Sequence, residues 1–224
     1  MAGTRTRYRP GEGDRLREEV LTAAEALLVE AGTDEAVTLR AVAARVGVTT
    51  PSVYRHFPSR EALLSATCLR VWGELDRRVR EYIAGVDDPL RALGRCGRAY
   101  ARFALEHPVQ YRVLMMRPSP SPSPGVAACF RHVVEVTAAC VRAGVMRGDA
   151  ESLALSMWSA LHGCVTLLIT QPDFPWPDDV ETVVDNAIRM AGFGAALSSR
   201  IPREATPASA DLAAGLDSLT TAWT

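Results

Sequence analysis

Apolar residues recur at every third or fourth position along most of this chain, and that spacing constrains the fold more than any other feature. The first such run consists of Leu16, Val20, Ala24, Leu27 and Ala31. It predicts an amphipathic helix over about 14–31, with Gly32 as its C-terminal stop. No stretch of useful length alternates apolar and polar residues as a half-buried strand does. The pattern therefore predicts an all-α protein, without the nucleotide-binding crevice of a doubly wound sheet.

Two short amphipathic segments joined by a glycine turn follow this first helix. Thr38 can cap a helix whose apolar residues face inward, and Gly47 gives the backbone the freedom to turn tightly. Thr49 can cap the next helix, where Pro51 falls in the first turn and loses no hydrogen bond. Two short helices around such a turn predict a helix-turn-helix. Ser59 can then cap a long fourth helix.

The rest of the chain is also helical in pattern. We expect a helix that ends before Pro108, a shorter helix over 108–116, an extended Pro/Ser loop at 117–126, and helices over about 126–143, 149–171 and 178–197. Leucines at helical spacing near the end predict a short terminal helix that folds back onto the body. The predicted units are a flexible basic arm (1–13), a helix-turn-helix domain (14–64), a helical body (65–200) and a tail (201–224).

The third helix is expected to have one buried face and one exposed face. Advancing about 100° per residue from Thr49 places Val53 and Phe57 on the buried side and Pro51 and Arg55 almost opposite. An exposed arginine at the centre of such a helix can bond guanine O6 and N7 in the major groove of DNA. The residues beside it can also contact base edges, through the hydroxyls of Thr50 and Ser52 and the apolar ring of Pro51.

The charge distribution supports a DNA-binding role for this segment. Residues 36–60 contain Arg40, Arg45, Arg55 and Arg60 but no acidic residue, although the whole chain has a formal net charge of −1. Three further arginines lie in the arm 1–13. Such a patch gains affinity by neutralising phosphates and releasing counterions. The side chains expected to contact phosphates are those of Thr38, Tyr54, His56 and Arg60.

The segment "TLRAVAARVGVTTPSVYRHFPSREALL" at 38–64 resembles the N-terminal DNA-binding domain of TetR-family transcriptional regulators, and the likeness covers about residues 14–64. It implies an all-helical homodimer with two such heads, and a divergent C-terminal ligand-binding and dimerisation domain over 65–200. The family's DNA-contacting positions fall on Thr38, Arg40, Thr49, Thr50, Pro51, Ser52, Tyr54, Arg55, His56 and Arg60. One departure is that Arg60 stands where Lys is usual, and the two side chains bond phosphate differently.

The body is expected to hold a pocket for a small-molecule effector of unknown identity. Aromatic and Met side chains with a few polar tips are typical of such pockets, although the same residues are often simply core. The candidates are Tyr100, Phe103, Tyr111, Met115, Met116, Trp158 and His162. Trp158, His162 and the following glycine resemble the Trp-x-x-x-His-Gly signature of one C-terminal subgroup of the family.

Dimerisation is expected to use helices 149–171 and 178–197, because both are rich in small residues that let helices approach closely. The alternative is that these small residues pack only within one chain. The leading hypothesis is a cytoplasmic regulator, a repressor more than an activator, that binds an inverted-repeat operator as a homodimer and is released by a small molecule.

Two other functions stay open from the sequence. The first is a helix-turn-helix regulator controlled by a protein partner, with a body that lacks a small-molecule cavity. The second is a helical enzyme, which the scattered positions of the four histidines disfavour. No metal or cofactor is predicted, since five cysteines without a C-x-x-C suggest buried thiols in a reducing compartment. The most apolar run, "CVTLLIT", is far shorter than a membrane span.

Overall fold

The structure, a computed structural model, describes residues 13–116, 124–202 and 206–220. These ranges contain ten α-helices and a short 3₁₀ turn, and they contain no strand. The helices are α1 Gly13–Ala31, α2 Leu39–Val46, α3 Thr50–Tyr54, α4 Arg60–Ile83, α5 Pro89–Glu106, α6 Pro108–Met116, α7 Pro124–Arg142, α8 Ala150–Thr170, α9 Val180–Ser198 and α10 Ser209–Thr220. The predicted all-α fold is confirmed.

Short polar side chains begin most of these helices, as the sequence predicts. Thr38 accepts a hydrogen bond from Ala41 N at the start of α2, and Ser59 accepts one from Ala62 N at the start of α4. Each bond satisfies one of the backbone donors that a helix leaves unpaired in its first turn. Thr49 stands at the N-cap of α3 without such a bond, because its hydroxyl lies 2.8 Å from that of Ser52.

Gly47 makes the turn between α2 and α3. Its backbone is left-handed, with φ 78° and ψ 25°, a conformation that costs glycine nothing because it has no Cβ. The N–H of the next residue, Val48, bonds the carbonyl oxygen of Ala43 at 3.0 Å and closes the end of α2. The helix-turn-helix geometry therefore follows from the local sequence.

Buried apolar residues form one core at the N-terminal end of the chain and two neighbouring cores in the rest. The first core joins α1, α2, α3 and the beginning of α4, with Val20, Val42, Val53 and Leu63 fully buried. Below it, α4 contributes Trp72 and further residues to the core of the body, which α5 and α7–α9 complete. The helix α4 is thus shared between the N-terminal head (13–64) and the body.

The structure corrects two details of the predicted organisation. Pro124 begins α7, so the last residues of the predicted loop 117–126 are helical, as a proline in the first turn allows. The terminal helix α10 forms, but Leu216 is exposed and Leu212 only half-buried, so its apolar side is not sealed against the body. The arm 1–12 and the remainder of the Pro/Ser loop lie outside the described residues.

The expectation about membrane-spanning length also changes. Among the described residues, α8 is the one helix with the length and hydropathy to cross a membrane, because the whole helix rather than its apolar run has 21 residues. It packs against α5, α7 and α9, however, and Asp149 caps its start. One side of α8 is therefore packed in the bundle, and 22% of its apolar window is buried.

Candidate functional site

The segment 49–57 has the two faces that its sequence predicts, but α3 within it ends at Tyr54, so Arg55 is its C-cap and not a residue at the centre of the helix. Val53 and Phe57 are buried in the core of the head, whereas Pro51 and Arg55 are exposed on the opposite side. Tyr54, beside them, leaves 52% of its surface open to solvent, which is a large exposure for an aromatic side chain. The buried pair fixes the rotation of the helix, so the exposed residues point away from the head.

Hydrogen bonds connect the exposed residues of α3. The hydroxyls of Thr49 and Ser52 lie 2.8 Å apart, and the guanidinium of Arg55 donates to the Ser52 oxygen at 3.3 Å. These contacts restrain the Arg55 side chain without neutralising its charge, because the acceptor is a neutral hydroxyl. An arginine held in this way loses less conformational freedom when it bonds a base or a phosphate.

Two of the four arginines in the acid-free window are paired with acidic residues from outside it. Arg45 makes a bidentate pair with Glu30 of α1, at 2.6 and 2.5 Å, and Arg60 lies 3.3 Å from an oxygen of Asp34. Within the described residues, Arg40 and Arg55 have no carboxylate at ion-pair distance. The charge of the window is therefore half compensated, and its free positive charge is confined to α2 and α3.

The guanidinium of Arg60 is occupied by the backbone of the head. It donates to the carbonyl oxygen of Val37 at 3.0 Å and to that of Asp34, in addition to the Asp34 carboxylate. Val37 and Thr38 immediately precede α2, so this one side chain ties the start of α4 to the start of α2. The predicted phosphate contact of Arg60 stays a prediction, and the structure adds a role in holding the head together.

The remaining predicted DNA-contacting residues lie around the same surface. Thr38 uses its oxygen to cap α2, which leaves the hydroxyl proton available for a phosphate. Thr50 is half-buried at the start of α3. His56 is half-buried beside Gly13, so the ring sits at the junction with α1. The contacts of these three residues with DNA stay predictions.

A second arginine of α4 attaches that helix to the head. The Arg70 guanidinium lies 3.1 Å from Glu25 and 3.4 Å from Glu18 of α1, and it donates to the Thr22 hydroxyl at 3.0 Å. Burial raises the pKa of the Glu25 carboxyl, and the Arg70 charge opposes that rise. Because α1 packs on α2 and α4, a displacement of α4 is expected to move the head with it.

A cavity of about 640 Å³ lies in the body, enclosed by α4, α5, α7, α8 and α9. Its volume is in the range of sites for small organic ligands. The wall is mostly apolar and includes Trp72 and Leu75 of α4, Phe130 of α7 and Trp158 of α8. The helix that carries the head thus forms part of the cavity wall.

Three of the predicted pocket residues form a hydrogen-bonded cluster next to this cavity. The hydroxyls of Tyr100 and Tyr111 lie 2.8 Å apart, and His162 Nδ1 lies 2.9 Å from the first and 2.6 Å from the second. Burial raises the pKa of both phenols and lowers the pKa of the imidazole. All three groups are therefore neutral near pH 7. The Trp158 ring stacks on His162 with centroids 5.2 Å apart.

The predicted pocket residues divide into wall and core. Tyr100 and Trp158 line the cavity, whereas Phe103 and Tyr111 are buried in the core and His162 lies behind Trp158. The side chains of Met115 and Met116 lie outside the described ones. Phe103, Tyr111 and His162 do not line the cavity, so the predicted direct contact of these residues with a ligand has no support in the wall. The wall forms where five helices pack together, and the sequence does not show which helices pack against each other.

The cavity wall has a basic part that was not predicted from the sequence. Four arginines line it, Arg91, Arg95 and Arg98 from α5 and Arg189 from α9. The three on α5 are spaced by four and three residues, which puts them on one face of a helix, and that spacing is visible in the sequence. Gly94 on the same wall leaves open space, since a Cβ there meets nothing within 4 Å, whereas Gly97 lets Ile188 and Leu161 pack closely against α5.

The outer faces of α8 and α9 carry large apolar side chains in contact with solvent. Leu167 on α8 is about half exposed; Leu155 on α8 and Phe193 on α9 are exposed to the same degree, but these two also line the cavity. Met190, also on α9, is 75% exposed. Such a concentration on two adjacent helices exceeds the scattered apolar exposure that is normal for a monomer.

The fold and the two sites define a helix-turn-helix DNA-binding protein with a ligand-sized cavity in its body, and comparison with known proteins gives the family. Residues 20–67 match the family described as "Bacterial regulatory proteins, tetR family", and residues 93–191 match the family described as "Tetracyclin repressor-like, C-terminal domain". The uncharacterized HTH-type transcriptional regulator Rv0681 of Mycobacterium tuberculosis is 30% identical over 179 residues, 78% of this chain and 79% of its own.

Solved structures agree with this assignment. A protein of unknown function from Rhodococcus sp. RHA1 superposes with a TM-score of 0.71 at 25% identity, over 81% of this chain and 95% of its own. SmeT, solved as a complex with triclosan, has a TM-score of 0.58 at 21% identity, over 79% and 90% of the two chains. The chain belongs to the TetR family of DNA-binding transcriptional regulators, which are not enzymes.

Proposed function

We propose that this protein is a cytoplasmic repressor that binds an inverted-repeat operator as a homodimer and is released by a small molecule bound in the body. The observation that carries the proposal is that α4 belongs to both sites at once. Its first turn holds the head through Arg60, and its middle lines the cavity with Trp72 and Leu75. A ligand that favours one position of α4 therefore favours one position of the head.

DNA recognition is assigned to the exposed side of α3. In this proposal Arg55 and Ser52 read base edges in the major groove, together with Thr49, Thr50 and Pro51. Arg40, Thr38, Tyr54 and His56 are assigned to phosphates around the groove. Two heads must be about 34–36 Å apart to occupy successive major grooves on one side of the duplex. Release follows when the ligand-bound body holds the heads at a different separation.

The homodimer is assigned to the outer faces of α8 and α9. Their exposed side chains are apolar or small, for example Leu167, Ser159 and Ala160 on α8 and Met190 and Gly194 on α9. A second copy that offers the same faces would bury these residues in a four-helix interface, as two-fold symmetry allows. The interface lies in the body, so it leaves α3 of both copies free for DNA.

Control by a small molecule is favoured over control by a protein partner. The partner hypothesis rests on a body without a ligand cavity, whereas this body encloses about 640 Å³. A protein of the same fold, SmeT, has been solved with a small molecule, triclosan. We keep the domain limits at about residues 64 and 200 as part of the proposal, with α4 shared between the head and the body.

Release by a metabolite can be tested with the protein purified from its host under native conditions. Compounds extracted from the denatured protein would be identified by mass spectrometry and added to the complex of protein and operator. We expect at least one compound to bind in a one-to-one ratio with the chain and to dissociate the complex. Control by a partner protein instead predicts that no extracted compound affects the complex, while a fraction of host protein does.

A further inference from the structure

The charged residues of the cavity wall are all positive. They are the four arginines, and no aspartate or glutamate lines the cavity. The cysteines of the wall do not change this balance, because burial raises the pKa of Cys96 and of Cys129 to about 12 and keeps both thiols neutral. A ligand that enters therefore meets positive charge that is not balanced within the wall.

In the described part of the chain, three of these four arginines are not paired with a carboxylate. Arg98 is compensated by Asp185, whose carboxylate lies 2.6 and 2.9 Å from two of its nitrogens. Arg95 donates only to the neutral carbonyl oxygen of Tyr82 at 3.4 Å, and the Arg189 guanidinium lies 5.3 Å above the Phe193 ring. Within the described residues, neither these two nor Arg91 has a carboxylate at ion-pair distance.

The unpaired charge of the wall lies toward solvent, next to the apolar side chains of Leu155 and Phe193, whereas the deep end is apolar. Arg91, Arg95 and Arg189 are exposed, so they lie at the end that faces solvent. Trp72 and Leu75 are almost completely buried, so the deep end is apolar. The one hydroxyl near that end, on Tyr100, is already bonded to Tyr111 and His162. The deep end therefore offers mainly apolar contact area.

We infer that the effector is an amphipathic organic anion, with an apolar body in the deep end and a carboxylate or phosphate head between Arg91, Arg95 and Arg189. Guanidinium groups bond both kinds of head in bidentate geometry, and an anion of this shape supplies the charge that the wall lacks. A cation in the same place would meet like charges and is disfavoured. This inference rests on the proposed function, since it names the chemical class of the ligand that releases DNA.

The inference can be tested with four probes that share one apolar body and differ in the head: dodecanoate, dodecyl phosphate, dodecanol and dodecylamine. Binding to the full-length protein at pH 7, below micellar concentrations, would be followed by the fluorescence of Trp72 and Trp158, which line the cavity. We expect one or both anions to bind at least about tenfold more tightly than the alcohol, and the amine to bind most weakly. The two anionic probes distinguish a carboxylate from a phosphate head.

Variants then locate the head group. Arg91→Gln combined with Arg95→Gln should reduce the affinity for the anion to about that for dodecanol while leaving dodecanol binding unchanged. The matched control is Arg147→Gln, an exposed arginine that does not line the cavity. Equal binding of all four probes, no binding of any probe, or an anion preference that survives the double substitution would each overturn the inference.

The failure of the proposed function has a different signature. The same probes would be added to the complex of the protein with its operator, and DNA release would be measured separately from ligand binding. Preferential anion binding without release supports the inferred ligand class and contradicts release as the mechanism. Release by dodecanol or dodecylamine as effective as by the anions supports small-molecule control and overturns the ligand class.

Discussion

The guanidinium of Arg60 donates a hydrogen bond to the carbonyl oxygen of Val37 at 3.0 Å, across 23 residues of sequence. Together with its bonds to Asp34, this contact joins the first turn of α4 to the segment that leads into α2. The relationship matters because α4 also lines the cavity. A side chain predicted to contact DNA is thus placed to transmit a shift of α4 to the head.

Replacing Arg60 should therefore affect stability and not only DNA binding. Arg60→Ala leaves the Val37 and Asp34 carbonyls without this donor, and we expect the free energy of unfolding to fall by about 1–3 kcal/mol. Arg60→Lys keeps the charge but cannot bond both carbonyls as a fork, so it should lie between alanine and wild type. Chemical denaturation measures both. The control Arg45→Ala removes only an exposed ion pair, so its free energy of unfolding should stay near that of the wild type. If Arg60→Ala also leaves the stability unchanged, the role of Arg60 is limited to the phosphate contact.

Filling the cavity should separate ligand response from DNA binding. Gly94 lines the cavity, and a Cβ placed there meets nothing within 4 Å, so Gly94→Met can extend into the empty space without a backbone clash. Because glycine is a poor helix former, the change should not reduce stability. We expect dodecanoate affinity, measured by tryptophan fluorescence, to fall at least about tenfold while DNA affinity is kept. Gly73→Met, on the exposed side of α4, is the matched control; equal ligand affinity of both variants would place the site elsewhere.

The proposed homodimer would bury Met190, the most exposed apolar residue of α9. Met190→Asp would bury a carboxylate without a partner at the interface, a change that disfavours association strongly. Sedimentation analysis should show wild type as a dimer and the variant as a monomer with unchanged helix content. Val29→Asp, an exposed apolar position on α1, should stay dimeric. A dimeric Met190→Asp protein would show that α9 is not the interface.

The buried cluster around His162 should give a measurable pH dependence. Burial lowers the pKa of His162, so the folded protein resists protonation, whereas the unfolded chain takes up a proton near pH 6.5. The contribution of the neutral imidazole is therefore complete above that pH and is lost as the pH falls below it. We expect the Tm advantage of wild type over His162→Gln to shrink between pH 7.5 and 5.5. A constant or growing advantage in acid would contradict the lowered pKa.

The sequence predicts local features of this protein well and long-range ones poorly. The faces of α3 follow from its period alone, because Val53 and Arg55 are separated by local geometry. The pairing of Arg45 with Glu30 depends on how α1 packs against α2, and a charge count within the window cannot contain that information. The reach of Arg60 to Val37 is hidden for the same reason.

The cavity shows the same limit. The positions of Tyr100 and Trp158 in its wall were predicted from residue type, whereas Phe103 has the same chemistry and lies in the core. Arg91 and Arg95 share a helix face by spacing, yet only the packing of α5 against α9 makes that face a cavity wall. Residue type and period identify candidates, and tertiary packing decides which of them meet a ligand.

The proposed DNA binding depends on the exposed arginines Arg40 and Arg55, and Arg45, which is paired with Glu30, serves as the control. Arg55→Ala should weaken binding to the operator by about 1–3 kcal/mol and relax the base preference, whereas Arg40→Ala should weaken binding evenly across sequences and reduce its salt dependence. Arg45→Ala should bind as wild type does, because Glu30 already occupies that guanidinium. Fluorescence anisotropy with labelled duplex at several salt concentrations measures all three, and equal losses would mean that any arginine of the head suffices.

The most direct measurement is selection of bound fragments from a random pool of duplex DNA, with the wild-type protein and with the double variant Arg40→Ala and Arg55→Ala. We expect the wild type to enrich one inverted repeat, with half-site centres about one helical turn apart or a multiple of it, and the variant to enrich none. If the wild type shows no preference over scrambled duplex at moderate salt, or if the double variant selects the same repeat, α3 does not read DNA and the account is wrong.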